Sequence, residues 1–361
     1  MQEREFAEKY CIFRCRSGSH AYGTSLPTSD VDTRGVFIAP PSHILSCVHK
    51  IEQAEDKATD TVIFELKKFM NMAANCNPNI IELLFTDERN ILFMHDTFRR
   101  IREHAHLFLS RKAKHTFSGY AMSQLQRIKG HNKWINNPQP EQTPSMADFC
   151  RFIGTNGAVR RDNMAIRALS KVCFLAKTFG ATQFRVYHSP EFFAEKVGFF
   201  NENETQPKYV NIDDETLARR ATYKGFLWIN IDEFKTLYKE WSQYWEWKNN
   251  RNEVRAELEA RHGYDTKHAM HLVRLMRMAQ EILTEGKVIV RRPDAAELLR
   301  IRAGEFDYEW LLNWAKEMDE KLNEADKKSE LQFAADYEGI DALYRETVLQ
   351  YWREHKLLNY A

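Results

Sequence analysis

The patterning of apolar residues changes once along this chain, near residue 101, and that change constrains the fold more than any other feature. Before it, short runs of β-favouring and aromatic residues alternate with turn-formers. YCIFRCRS (10–17) and DVDTRGVFIAP (30–40) read as strands. The segment GSHAYGTSLPTSD between them is dense in breakers, and Pro40-Pro41 closes the second strand. HKIEQAEDKATD reads as a strand or a hairpin. TVIFELKKFMNMAANC carries Val62, Leu66, Phe69, Met70 and Ala73 at helical spacing, with a start that is equally strand-like. Asn77-Pro78 breaks it, and NIIELLF is a short apolar element. After residue 101, amphipathic helical periodicity dominates: 101–130, 158–179, 231–260, 266–285, 294–302, 307–324 and 339–355. The stretches 131–148 and 186–213 are loops rich in Pro, Asn and charge, and KVIVRRP (287–293) suits a short hairpin arm. The expected class is α+β. A small mixed-sheet head occupies 1–100, and a larger, mostly α-helical domain occupies 101–361.

With 361 residues, 43% of them hydrophobic, the chain has material for two domains or for one with a large appended part. Lys+Arg (52) and Asp+Glu (51) nearly cancel, so no global field draws the chain to nucleic acid or membrane. A polyanion site must be a local patch. The six cysteines show no CxxC pairing, and a chain of this size needs no disulfide staples, so they read as reduced thiols. The N-terminus lacks an apolar signal core, and no stretch approaches the ~20 apolar residues that span a bilayer. The expectation is a soluble, cytoplasmic protein with no membrane partner.

The strongest chemical signal is local. Gly18-Ser19 is followed by a loop and by Ser29-Asp30-Val31-Asp32, which runs into Arg34-Gly35-Val36-Phe37-Ile38. On a strand, residues two apart share a face, so Asp30 and Asp32 would aim both carboxylates at one spot. Like charges so placed call for a hard divalent cation such as Mg²⁺ or Mn²⁺. Gly18 lets backbone approach a phosphate, and Ser19 supplies a hydroxyl and an N–H; Ser29 adjoins them. A phosphate cradle beside two metal-binding carboxylates suits in-line attack on a nucleoside triphosphate (NTP), with pyrophosphate leaving and two ions holding the attacking and leaving oxygens. A lone DxD is ordinarily a solvated turn. Its combination with an upstream strand and Gly-Ser is what carries weight.

GSHAYGTSLPTSDVDTRGVFIAPP resembles the signature of the DNA polymerase β-like nucleotidyltransferase superfamily, and more narrowly a family of nucleotidyltransferases of bacteria and their viruses. DTVIFELKKFMNMAANCNPNIIELLF, HTFSGYAMSQLQRIKGH and YDTKHAMHLVRLMRMAQEILTEGKVIVRRPDAAELLRIRAGEF extend the likeness into the helical part. The resemblance implies transfer of a nucleoside monophosphate from an NTP, ATP among them, to an acceptor hydroxyl, in a bacterial or virus-infected cell. It leaves the acceptor open, since acceptors in the superfamily range from RNA ends and antibiotics to protein side chains. It also implies a third carboxylate on a neighbouring strand. Asp60, which opens an apolar element, is the first choice, with Glu65 and Glu82 as competitors. Glu65 reads equally as an exposed helix residue paired with Lys68. Glu82, flanked by Ile81 and Leu83, is either on a wet face or functional. Two rival readings stand beside the transferase: a catalytically silent nucleotide-binding regulator on the same fold, and an enzyme adding nucleotides to an RNA end.

In the helical part, Lys267, His271 and Arg274 share one helix face and suit triphosphate binding, with Arg277 a turn further on. Tyr120, Gln124 and Arg127 form a second stripe, with Lys129 nearby. Either stripe reads alternatively as a solvated face. Arg291-Arg292-Pro293 suits a hairpin cap or a nucleic-acid backbone. Trp241, Tyr244 and Trp245 fit a helix-packing face better than a base-stacking platform. His20 and His268 are within sequence reach of the phosphates, while His115 and His131 point to no specific role.

Overall fold

The computed structural model describes residues 3–48, 51–178, 180–188, 194–250 and 253–360. The chain is α+β and forms two compact units, Met1–Asn136 with Glu253–Ala361, and Asn137–Asn252. The boundary drawn from sequence at residue 100 falls inside the first unit.

In that unit lie β1 (Cys11–Arg16), β2 (Thr33–Phe37), β3 (Gln53–Asp56), β4 (Thr61–Glu65) and β5 (Ile91–Met94). They form a mixed sheet in the order β3-β4-β2-β1-β5. β2 and β4 run parallel, with Thr33 opposite Thr61, and the other pairs are antiparallel. The ambiguous 51–76 region resolves as the hairpin β3–β4 running directly into the helix Leu66–Ala74. Its apolar spacing is helical only after Glu65, where that side chain caps the helix by accepting from Lys67 N at 2.7 Å.

One core joins the sheet to the helices of this unit: Phe13 stacks on Phe98 at 4.0 Å between ring centroids, and Phe69 closes over Phe98. The helix Thr266–Glu285 buries residues all round its axis, from Ala269 and Leu272 to Leu275 and Met276. A helix apolar on every side belongs in an interior. It packs most extensively on the helix Lys112–Asn136, and also on Ala295–Arg302 and Tyr308–Lys328. Asp265 caps its start and Gly286, at φ +63°, ends it in the left-handed conformation. KVIVRRP forms no strand, so it is not a hairpin arm.

The second unit departs from the expected helical character. It holds β6 (Cys150–Gly154), β7 (Val159–Arg160), β8 (Cys173–Lys177), β9 (Gln183–His188), β10 (Tyr209–Val210) and β11 (Thr222–Ile229), in the order β10-β8-β9-β11-β6-β7. The helical pattern expected at 158–179 covers only Asn163–Ser170. Cys173–Ala176 is a continuous apolar run, buried as a strand, and periodicity alone does not separate such a run from a buried helix. Of the loop expected at 186–213, residues 189–193 lie outside the described residues, and the rest includes β10. On the helix Ile231–Asn250, Trp241 and Trp245 both donate to the Pro140 carbonyl, at 2.9 and 3.0 Å, while Tyr244 is buried. These rings pack; they do not form an open platform. None of the six cysteines is in a disulfide. Among the described residues no helix is long and apolar enough to cross a membrane.

Candidate active site

The first unit contains an open cavity of about 680 Å³. One wall is built where β1 ends. Ser17 N donates to the Asp32 carbonyl at 2.9 Å, which extends the β1–β2 ladder by one rung and sets Gly18 against Asp32. Gly18 has φ +62°, and a Cβ there would collide with the Asp32 carboxylate, so only glycine fits. The chain then makes the short helix Gly18–Tyr22, closed by Gly23 in the left-handed region with Thr24 N donating to Ser19 O at 2.9 Å.

Asp30 and Asp32 both line the cavity, but not by strand alternation: β2 begins at Thr33, and the DxD lies in the irregular segment before it. Asp30 is exposed and Asp32 half-buried. The preceding turn is fixed by Leu26 N donating to Ser29 Oγ at 2.8 Å, so the Ser29 hydroxyl serves its own loop.

Asp60 joins them. It stands immediately before β4 as Asp32 stands before β2, and the register Thr33–Thr61 puts the two side by side. Asp60 has φ +43°, held by Arg34, whose guanidinium donates to the Asp60 carbonyl at 2.6 Å and approaches its carboxylate at 3.2 Å. The two carboxyls are close enough to shift one another's pKa. Burial, then the neighbouring Asp60 carboxylate, push Asp32 up to about 6. Asp60, beside Asp32 and facing Arg34, is held below the usual carboxylate range.

The other third-carboxylate candidates do not line this cavity. Glu65 is buried, caps a helix, and lines a different cavity with Lys68 and Tyr344. It is not an exposed partner of Lys68, whose ammonium bonds Gln53 at 2.8 Å instead. Glu82 is on no wet face. It is 5% exposed, accepts from the Tyr22 hydroxyl at 2.7 Å and pairs with Arg274 at 2.5 Å.

The opposing wall brings both basic stripes to the same cavity: Lys267, His271 and Arg274 from one helix, Tyr120, Gln124 and Arg127 from another. Lys267 is close enough to draw the Asp32 pKa down. Burial, with Arg274 and Lys267 adding repulsion, pushes His271 down to about 3, so its imidazole is neutral. Arg274 is 3% exposed, stacked at 3.7 Å over the Tyr22 ring and bound to Glu82. Its first partners are thus protein groups. Arg277 is outside the cavity, paired with Asp294 and Glu297, and Arg292 is buried against Glu281 and Asp294 rather than facing solvent. His268 lines the cavity and bonds Asp265, whereas His20 and His115 do not line it.

Sequence reasoning missed Thr28, Asn79 and Arg302, which also line the cavity. Asn79 follows the Asn77-Pro78 helix start, and Arg302 ends a helix nearly three hundred residues downstream of Gly18. Only Asn79 had a local signal, an amide beside a helix N-terminus.

Acidic oxygens on one wall, a glycine-serine turn beside them and cations opposite make a site for a polyphosphate carried with a cation. The chain is 28% identical over 129 residues to an uncharacterized 38.9 kDa protein of Enterobacteria phage T4, covering 31% of this chain and 38% of that one. It is 32% identical over 134 residues to an uncharacterized protein of Methanocaldococcus jannaschii, covering 36% of this chain and 53% of that one. The match thus spans about half or less of these relatives' length. No solved structure matches the chain. Residues 2–137 match the sequence model of the RNA repair pathway DNA polymerase beta family, so this stretch of the chain is similar to that family.

Proposed function

We propose that this cavity carries out metal-dependent nucleotidyl transfer, moving a nucleoside monophosphate from an NTP to an acceptor hydroxyl and releasing pyrophosphate. The reading rests above all on the adjacent carboxyls of Asp32 and Asp60, beside Gly18-Ser19 and within the field of Lys267. The residues fit a divalent ion: two adjacent carboxyls, one of them raised by burial and by the charge of the other, are relieved by a cation beside them. An all-oxygen donor set of Asp30, Asp32 and Asp60 suits Mg²⁺ or Mn²⁺. Two such ions, when bound, would neutralise phosphate charge and lower the pKa of the acceptor hydroxyl.

The chain's own groups do the rest. The turn at Gly18-Ser19 offers backbone N–H and the Ser19 hydroxyl to a phosphate, with Gly18 allowing close approach. Lys267 supplies a compact charge to the triphosphate from the opposite wall. Neutral His271 contributes a hydrogen bond rather than a charge. Arg274 acts at one remove: through Glu82 and Tyr22 it fixes the helix that begins at Gly18. The acceptor's proton passes to a carboxylate of the acidic wall. Free nucleotides as substrates fit the cytoplasm of a bacterial or virus-infected cell.

An RNA end as acceptor is the second reading, favoured by the likeness of residues 2–137 to the RNA repair family and by Arg127 and Arg302 on the cavity wall. The test is pyrophosphate release from each of the four NTPs with Mg²⁺ or Mn²⁺, wild type against Asp32→Asn and Asp60→Asn, with cell extract or RNA as acceptor source. Release that is absent throughout, or undiminished in both variants, overturns the reading. NTP binding without release would instead mark a nucleotide-binding regulator. Steep salt dependence of RNA binding would support the RNA acceptor.

A further inference from the structure

His131, Glu259 and Asp265 place one imidazole nitrogen and two carboxylate oxygens within 4.8 Å of one another. They come from three helices: His131 from Lys112–Asn136, Glu259 from Glu253–His262, and Asp265 from the cap of Thr266–Glu285. Both acids are 2% exposed. His131 Nδ1 stands 3.6 Å from Glu259 Oε1 and 3.8 Å from Asp265 Oδ2. Those separations exceed a hydrogen bond. Two ligands each about 2.0–2.1 Å from a tetrahedral zinc ion are about 3.3 Å apart, so a small inward movement would bring all three onto one ion.

Asp265 is already oriented. It accepts from His268 N at 3.0 Å, and its Oδ2 is 2.5 Å from His268 Nδ1. That contact is too short for both atoms to bind the same ion, which makes His268 the hydrogen-bonding partner that aims a ligating carboxylate. Asn132 Nδ2 donates to the Gly263 carbonyl at 2.8 Å and ties the same two helix ends together.

The geometry points to a zinc-class cation site formed by His131, Glu259 and Asp265, with His268 as a positioning residue. Mixed nitrogen and oxygen donors favour Zn²⁺ over Mg²⁺, and three protein donors leave one tetrahedral position for water. The ion would be a clamp. His131 lies one turn beyond Arg127, and Asp265 caps the helix carrying Lys267 and His271. Binding there fixes the spacing of the two stripes across the cavity, whatever reaction the cavity performs.

The full chain, stripped with a chelator, is titrated with Zn²⁺ and separately with Co²⁺ in excess Mg²⁺. Retained metal is measured by elemental analysis after desalting, and Co²⁺ coordination by visible absorption. The expected result is one retained Zn²⁺ per chain in wild type and in Asp30→Asn/Asp32→Asn. Affinity should fall at least about 100-fold in His131→Gln and in Asp265→Asn, the latter keeping a helix-capping oxygen. Thermal unfolding of the metal-free proteins checks that each variant folds, with Glu259→Gln as the replacement if one does not. No retained Zn²⁺ in wild type, equal retention in every ligand variant, or loss confined to Asp30→Asn/Asp32→Asn each overturns the site. The last outcome would assign the ion to the nucleotide cavity.

Discussion

Asp32 and Asp60 occupy matching positions at the entry to two parallel strands, each one residue before the paired threonines Thr33 and Thr61, and each carboxyl shifts the other's pKa. Parallel strands start at the same edge of a sheet, so the segments entering β2 and β4 converge there although they come from separate parts of the chain. Arg34, on β2 itself, reaches across to hold Asp60 in its left-handed conformation. The acidic wall is thus a product of strand order, and its two main groups depend on each other.

Asp32→Asn and Asp60→Asn should each reduce pyrophosphate release by a factor on the order of 10² or more, since each removes part of the cation's charge compensation. Mg²⁺ or Mn²⁺ should raise the Tm of wild type, as a ligand of the folded state does, and leave Asp32→Asn unmoved. Thermal unfolding with and without the ion, beside the activity assay, checks both. An equal Tm shift in the variant would place the ion elsewhere.

Gly18→Ala should cost about 1–2 kcal/mol through the left-handed backbone alone and also displace the Asp32 carboxylate, lowering activity well beyond tenfold. Gly119→Ala is the control. Gly119 lies inside the helix Lys112–Asn136 with open space around it, and the change should stabilise by about 0.5–1 kcal/mol. Urea unfolding of the two variants should move in opposite directions.

Arg274→Ala should destabilise by about 3–5 kcal/mol, because it leaves Glu82 buried and uncompensated. Tyr22→Phe, which removes one donor to the same carboxylate, should cost about 1–2 kcal/mol. Arg274→Ala together with Glu82→Gln should recover much of the loss. If Arg274 served the triphosphate alone, Arg274→Ala would raise KM and leave the denaturation midpoint unchanged.

What was legible in the sequence was local. Gly18-Ser19 and the DxD declare themselves because backbone reach and paired charge are short-range requirements. Asp60 was identifiable only as an acid opening an apolar element, since its pairing with Asp32 depends on β2 and β4 being neighbours. Arg274 carried a helical-face signal that fits a cavity wall and a buried pair equally well; the partner that distinguishes them, Glu82, lies 192 residues away. The six-stranded sheet of the second unit escaped because strands such as Cys173–Lys177 are buried on both faces and lose the alternation that marks a half-exposed strand.

Glu65 gives the chain a pH dependence separate from the acidic wall. Burial pushes its carboxyl up to about 7, against the hydrogen bond that it accepts from Lys67 N. Its Oε1 is buried without a hydrogen-bond partner among the described residues. A carboxyl whose folded pKa exceeds its unfolded value binds its proton more tightly when folded. Its contribution is therefore most favourable below the unfolded value near 4.5 and is lost as pH rises to about 7. The loss amounts to about 2–3 kcal/mol between those limits. Glu65→Gln keeps an oxygen for the helix cap and carries no charge, so it should abolish this slope. Chemical denaturation at pH 5 and pH 8 should show the variant gaining stability over wild type only at the higher pH. A constant difference between the two proteins across that range would mean that Glu65 is ionised in the folded chain throughout.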